Sequence, residues 1–522
     1  MSVVMNINQS TKDEGGEINL AYSHDTGSPP GLDHARGDSP GQVSLPVASP
    51  PPGSAEGEAG GRQGDDVDSG ELHCAPTNSS SAPSGTSSDP RERDADVEGK
   101  ESGAVDGGWG WMVAIGAALI MMLINVLGPC FSIIFSRFLL DLGTSSTTVG
   151  LIFNSFQFLW NFSGPILGPL LKEFSWRKVA MTCSLGVFAS LMLSAFATSS
   201  GFLLFSYSVL GGISCGLLSN LCFLIIPHYF AKRRGVANAI MMAGVSTGPI
   251  LAPMLVRYLQ EEYDFTGATI ITSAVVLHCC VGAALFRPIR TNPDKASPEE
   301  PKDRVWSLFL RVIRGTFTNL YILKSPRAAI IAVSGAFTLN SWLNFIALMP
   351  FAVQAAGYSL QAAAWCVTTS AVCNLVARLI VSVLSDWPKF SMRACYMAST
   401  ATIAATTVAF SMIHDITWLT VVMGVWGFGV GSYMGIYNLI MVHYMGLDKL
   451  TPTIGATFML VGIGFVTIGP AIGLIRDLSE SYSASMWVLA GMAAVAFVLW
   501  IFMPAAVRWD ERRELRHRNK SQ

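Results

Sequence analysis

The chain has 522 residues, of which 51% are apolar and only 13% charged. Soluble proteins carry about 25% charged residues, so lipid is the expected solvent for most of this chain. The net charge of −2 hides two unlike parts: residues 1–105 hold 18 acids against 6 bases, and residues 106–522 hold 18 acids against 28 bases. No nucleophile–base set, metal cluster or cofactor motif stands out. An enzyme, a bound cofactor and a nucleic-acid partner are therefore not expected.

Residues 1–105 are rich in Ser, Gly, Pro, Asp and Glu and bury too little apolar surface to offset the entropy of ordering. They read as a disordered, acidic, cytoplasmic tail. No signal-peptide core appears near the N-terminus, so the first helix is expected to act as its own insertion signal. From Trp109 onward, stretches of about 20 apolar residues, the length that spans a bilayer as helix, follow one another. They fall near 109–134, 147–171, 178–199, 202–226, 235–259 and 266–286. After a polar segment, six more fall near 328–354, 360–384, 394–413, 416–440, 451–475 and 484–506. The expected organisation is an N-terminal six-helix half (106–286), a central loop (287–327), a C-terminal six-helix half (328–507) and a basic tail (508–522). Two similar halves of six helices are the plan of a secondary carrier.

Basic residues set the orientation. Lys172, Arg177 and Lys178 follow span two, and Lys232, Arg233 and Arg234 follow span four. The central loop holds nine bases against four acids, Lys389 and Arg393 follow span eight, and Lys449 follows span ten. The alternate loops hold only Arg137, Arg257 and Arg476. Both termini and the central loop are thus expected in the cytoplasm. Residues 304–323 alternate Trp306, Leu308 and Phe309 with Arg304, Arg311 and Arg314, the pattern of an amphipathic helix on the inner leaflet.

Ionisable groups inside spans are costly and mark functional sites. None of the twelve stretches contains Asp or Glu. Arg378 in span eight is the clear intramembrane cation, and two readings are open for it. Its planar fork can hold a substrate carboxylate, or it can lock two helices through backbone carbonyls. His278 in span six reads as a packing residue. The neutral polar side chains include Asn125, Gln157, Asn161, Asn238, Asn374, Tyr433 and Tyr437. Of these Asn125, Asn161, Asn238 and Asn374 are assigned with Arg378 to substrate binding.

Two motifs carry a family resemblance. Asp106-Gly107-Gly108-Trp109-Gly110-Trp111 opens span one, and YFAKRRGVANAIMMAGVSTGPILAP from Tyr229 opens span five. Together, with FRP at 286–288 and NLVARL at 374–379, they resemble the paired signatures of the monocarboxylate transporters over 106–507. The resemblance implies an all-α membrane protein of the major facilitator fold that works by alternating access at the plasma membrane. It also implies a small organic anion as substrate. Arg234 and Asn238 correspond to residues near the cytoplasmic side of the substrate path, and Asp106, capping the tight turn before span one, is assigned with Arg234 to gating.

The departures matter as much. The family's span-eight pair is an acid one turn before an arginine; here Asn374 stands in the acid's place and Arg378 is kept. Proton-coupled lactate carriers of the family have a lysine in span one where this chain reads Gly128-Pro129-Cys130. Facilitated transport without strong proton coupling is therefore expected. The rivals are a carrier of neutral or zwitterionic metabolites with Arg378 structural, and a transport-inactive sensor or scaffold. The resemblance further implies a possible single-span immunoglobulin-type chaperone glycoprotein as partner, besides the lipid bilayer.

Overall fold

The computed structural model describes residues 106–287, 314–316 and 320–521, and every regular element among them is helical. The acidic segment 1–105 and nearly all of the amphipathic stretch expected over 304–323 lie outside the described residues. Nine helical stretches among the described residues are long and apolar enough to cross a bilayer. One of them, Arg234–Ala284, has 51 residues. At 1.5 Å per residue it would be about 77 Å long, more than twice the hydrocarbon thickness. It breaks at Asp264 (φ 54°, ψ −175°) and supplies both span five and span six. Span two (Ser146–Phe162 and Gly164–Glu173) and span nine (Met392–Met412) complete the twelve.

Sequence explains where the spans bend. Span one stops at Ile124 and restarts as Leu127–Asp141. Pro129 has no N–H to give the Asn125 carbonyl four residues back, and the Asn125 side chain instead donates to the Met121 carbonyl at 2.7 Å. Span two breaks at Ser163, just before Gly164-Pro165, for the same reason. Span four contains a π-helical segment, Leu204–Gly211, between Ser200–Leu203 and Gly212–Tyr229. The wider turn presents the fully buried Tyr207, whose hydroxyl donates to the Leu127 carbonyl at 2.8 Å, so span four holds the break in span one. π segments are frequent at functional sites.

The remaining spans are Trp176–Ala195 (three), Pro326–Ala355 (seven), Leu360–Leu384 (eight), Ile416–Met445 (ten), Leu450–Ser479 (eleven) and Tyr482–Ile501 (twelve). Pairing repeats between the halves. Span five packs on span one as span eleven packs on span seven, and span four packs on span two as span ten packs on span eight. The last two contacts are matched in detail: a Cβ on Gly216 would lie 2.0 Å from the Trp160 carbonyl oxygen, and one on Gly431 would lie 2.2 Å from that of Asn374. Only glycine allows backbones this close. Outside, Met254, Trp365, Trp418 and Leu478 are exposed, as a lipid-facing surface requires.

The basic segment expected as a tail is helical. The helix is Met503–Ser521, with Pro504 in its first turn, and Asp510 accepts hydrogen bonds from Ser325 Oγ and from Arg327 N and Nε at the foot of span seven. Among the described residues nine cysteines are free.

Candidate functional site

A cavity of about 710 Å³ lies between the halves. Spans one and two bring Asn125, Gln157, Trp160 and Asn161; spans seven and eight bring Trp342, Asn374 and Arg378; span ten brings Trp426 and Tyr437. Phe153, Phe223, Phe458 and Phe465 complete an aromatic wall. Four of the five residues assigned to binding thus meet here. Arg378 carries the one full charge among the lining residues and is only 6% exposed.

The cavity is rich in donors. Arg378 Nη1 donates to Ser246 Oγ on span five at 3.3 Å, while its Nε is buried with no partner in the protein. The indole N–H groups of Trp342 and Trp426 and the hydroxyl of Tyr437 are also buried without partners. All four atoms are sealed from water, so they lie in the packed wall behind the cavity and do not face it. The guanidinium of Arg378, 6% exposed, is the cavity's charged group, and no carboxylate lines the cavity to neutralise it. One turn before Arg378, on the same helix face, the Asn374 side chain makes no hydrogen bond to a described residue. Asn125 and Asn161 each donate one N–H to a carbonyl a turn back, at 2.7 and 2.8 Å, which fixes their rotamers beside the cavity.

Asn238 is elsewhere. It is fully buried and its amide donates across the halves to Ser382 Oγ at 3.1 Å and to the Gly435 carbonyl at 2.9 Å. It clasps spans five, eight and ten together on the basic side of the cavity. In this arrangement its amide N–H groups are taken by those two acceptors, and Asn238 does not line the cavity.

The residues assigned to gating converge at the basic end. Asp106 accepts hydrogen bonds from three consecutive backbone N–H groups, those of Ala231, Lys232 and Arg233, at 2.8, 2.9 and 3.2 Å. Successive amides of this kind form an anion-binding nest. Arg234 donates from Nε to the Phe230 carbonyl at 2.7 Å. The two signature motifs meet the end of span six in one corner: Trp111 lies 4.9 Å from the Phe230 ring, Trp109 Nε1 donates to the Leu285 carbonyl, and Arg287 sits 3.6 Å over Trp109.

Asp386 closes this corner from the other half. Its two oxygens accept from Gly235 N at 2.6 Å and Val236 N at 3.0 Å, capping the positive end of span five. Burial holds the Asp386 carboxyl above its ordinary range, against the downward pull of those two N–H groups. Asn438 adds a further crossing from span ten to the Phe223 carbonyl on span four at 2.8 Å. Asp386, Ser246, Trp342 and Trp426 were not singled out from sequence. A carboxylate just beyond a span end carries a weak signal for Asp386; the other three look like ordinary apolar-helix residues.

Twelve helices in two matching halves around a buried, donor-lined cavity define a membrane carrier architecture. A family model of the Major Facilitator Superfamily matches residues 113–468 and again 332–521, and the chain belongs to that superfamily. Monocarboxylate transporter 12-B of Danio rerio is 24% identical over 441 residues, covering 80% of this chain and 92% of that protein. Monocarboxylate transporter 13 of Rattus norvegicus is 25% identical over 391 residues, covering 75% and 88%. Among solved structures, the human organic anion transporter MFSD10 (TETRAN) superposes with a TM-score of 0.58 at 15% identity, covering 74% of this chain and 98% of that one. A double-tryptophan XylE variant gives the same TM-score at 14% identity. These structures share the fold.

Proposed function

We propose that this chain carries an organic solute bearing a carboxylate across the plasma membrane, by facilitated alternating access without strong proton coupling. One observation carries the reading: the inter-half cavity is lined by a buried guanidinium, with no acid among the lining residues to neutralise it. An anionic ligand completes the pair. A planar guanidinium holds a carboxylate through two parallel hydrogen bonds. The relatives named monocarboxylate transporters, similar over three quarters or more of this chain, support the same class. Asn374, which cannot ionise, leaves no span-eight proton acceptor beside Arg378, which supports weak proton coupling.

Orientation follows from charge. Lys232, Arg233, Arg234, Lys389 and Arg393 gather at the end closed by Asp386, and that end faces the cytoplasm on this reading. The bonds crossing between halves, from Asn238, Asn438 and Asp386, then form a closed inner gate.

The bond from Arg378 to Ser246 favours a second reading, in which Arg378 is a strut between spans eight and five and the solute is neutral. Uptake of a panel of labelled carboxylates and their amides in oocytes, at neutral and mildly acidic pH, separates the two. Wild type should take up acids in preference to amides with little effect of a proton gradient. Arg378→Ala should remove acid uptake, by tenfold or more for the loss of a charge-assisted pair worth about 1.5–3 kcal/mol. Retained acid uptake in Arg378→Ala would sink the carboxylate contact.

A further inference from the structure

The central cavity has an annex. The second segment of span one, Leu127–Asp141, diverges from the start of span two, and between them lies a pocket of about 200 Å³. Gly128, Pro129 and Phe153 line both this pocket and the central cavity, so the two spaces adjoin there. Gly128 stands where a doorway between them would lie, and a Cβ built there would find no heavy atom within 4 Å. The far wall is aromatic and rigid. Phe131 and Phe153 stand with ring centroids 5.4 Å apart, and Phe131 leans on Tyr207 at 5.2 Å, the residue that the π segment of span four holds against the break. Beyond that wall the lining is Leu139, Leu140 and Val149, with Ser132, Ser136 and Thr144 as its polar contribution.

We propose that this annex is a binding subsite for the apolar body of the transported acid, an aryl or branched-alkyl group several carbons removed from the carboxylate. It rests on the reading that the carboxylate sits at Arg378. The division of labour follows from the linings: Arg378, Asn374, Asn125 and Asn161 line the central cavity, whereas the annex offers mainly aromatic faces and aliphatic side chains. Pockets of about 300–1,000 Å³ hold drug-sized ligands, and the central cavity at about 710 Å³ is already far larger than a three-carbon acid fills. A small acid leaves the aromatic wall in contact with water. A phenyl-substituted acid dries it and adds ring–ring contacts in offset or edge geometry.

The test varies body size and charge independently. Propionate, hexanoate and phenylbutyrate, each with its matching amide, are measured for uptake by the full chain and for binding to the purified protein. Gly128→Leu closes the doorway and Val149→Trp fills the pocket from span two; the second keeps the test decisive if the first fails to fold. The expected result is that the ratio of phenylbutyrate to propionate falls about tenfold or more in each folded variant, the size of effect that apolar-pocket changes produce. An unchanged ratio in a folded variant overturns the subsite, as does failure of every member of the series to bind wild type. Arg378→Ala is read on the other axis, acid against amide. If Arg378→Ala is silent while Gly128→Leu still shifts the size ratio, the carboxylate contact fails and the annex stands.

Discussion

Asp386 shows how one side chain joins the two halves. It reaches from the end of span eight to the first amides of span five, where the helix dipole favours a negative charge. Removing a side chain that caps a helix start costs about 0.5–2 kcal/mol, so Asp386→Ala should open the basic end. Labelling of a cysteine placed at Val236 should rise accordingly. The pH response has a definite sign. Burial raises the carboxyl's proton affinity in the closed gate, whereas an open gate exposes it to water and returns it to the ordinary range. The closed gate binds the proton more tightly, so lowering the pH at the basic end toward the carboxylate range favours closure. Asp386→Asn should abolish that dependence, which labelling at Val236 across the same pH range would check. Arg378 was legible in the sequence because a charge inside an apolar run stands out without any knowledge of neighbours, and Asn374 because it stands where the family's span-eight pair has an acid. Asp386, Ser246 and Trp426 were not, because each takes its role from a partner more than a hundred residues away or from a cavity that exists only once the halves meet. Asn238 illustrates the converse: its position in the motif was plain, but only the fold shows its amide turned to Ser382 and Gly435 instead of the cavity.

At the scale of elements, the spans were legible from apolar length, and their interruptions were partly so. Proline and glycine mark the breaks near Asn125 and Ser163, since a missing N–H has a local consequence. The π segment of span four has no such mark; it is stabilised by what it reaches, chiefly the Leu127 carbonyl. Tyr207→Phe removes the hydroxyl and leaves that buried carbonyl at the break without its donor, a loss of about 1–3 kcal/mol. The melting temperature of the purified protein should fall, and exchange of amides around Asn125 should accelerate. Unchanged exchange there would mean the break holds without span four. The helix Met503–Ser521 makes the same point. Charge count marks a basic tail but says nothing of its partners, and Asp510 ties it to Ser325 and Arg327. Asp510→Ala should release the helix, seen as loss of hydrogen-exchange protection over 503–521 while the twelve spans keep theirs.

At the scale of the molecule, the two halves repeat their pairings, and what differs between conformations is the seam between them. Contacts within a half, such as Gly431 on Asn374, must hold in every state. Contacts across the seam hold in only one. Gly235 belongs to the second kind: a Cβ there would lie 2.1 Å from the Ser382 carbonyl oxygen and 2.8 Å from Asp386 Oδ1, both in the opposite half. A methyl group at this point costs nothing to a state in which spans five and eight have separated. Overpacking of about 1–3 kcal/mol therefore falls on the closed basic end alone, and a bias of that size shifts the population about 5- to 150-fold. Gly235→Ala should leave the protein folded and trap it open at the basic end. Labelling at Val236 should rise and the transport rate should fall, because the cycle cannot complete without closure. Gly431→Ala should instead lower the melting temperature and weaken substrate binding together, since it forces apart the helix pair that presents Asn374 and Arg378. If both variants lost stability equally and neither changed labelling, the seam would not be where this carrier alternates.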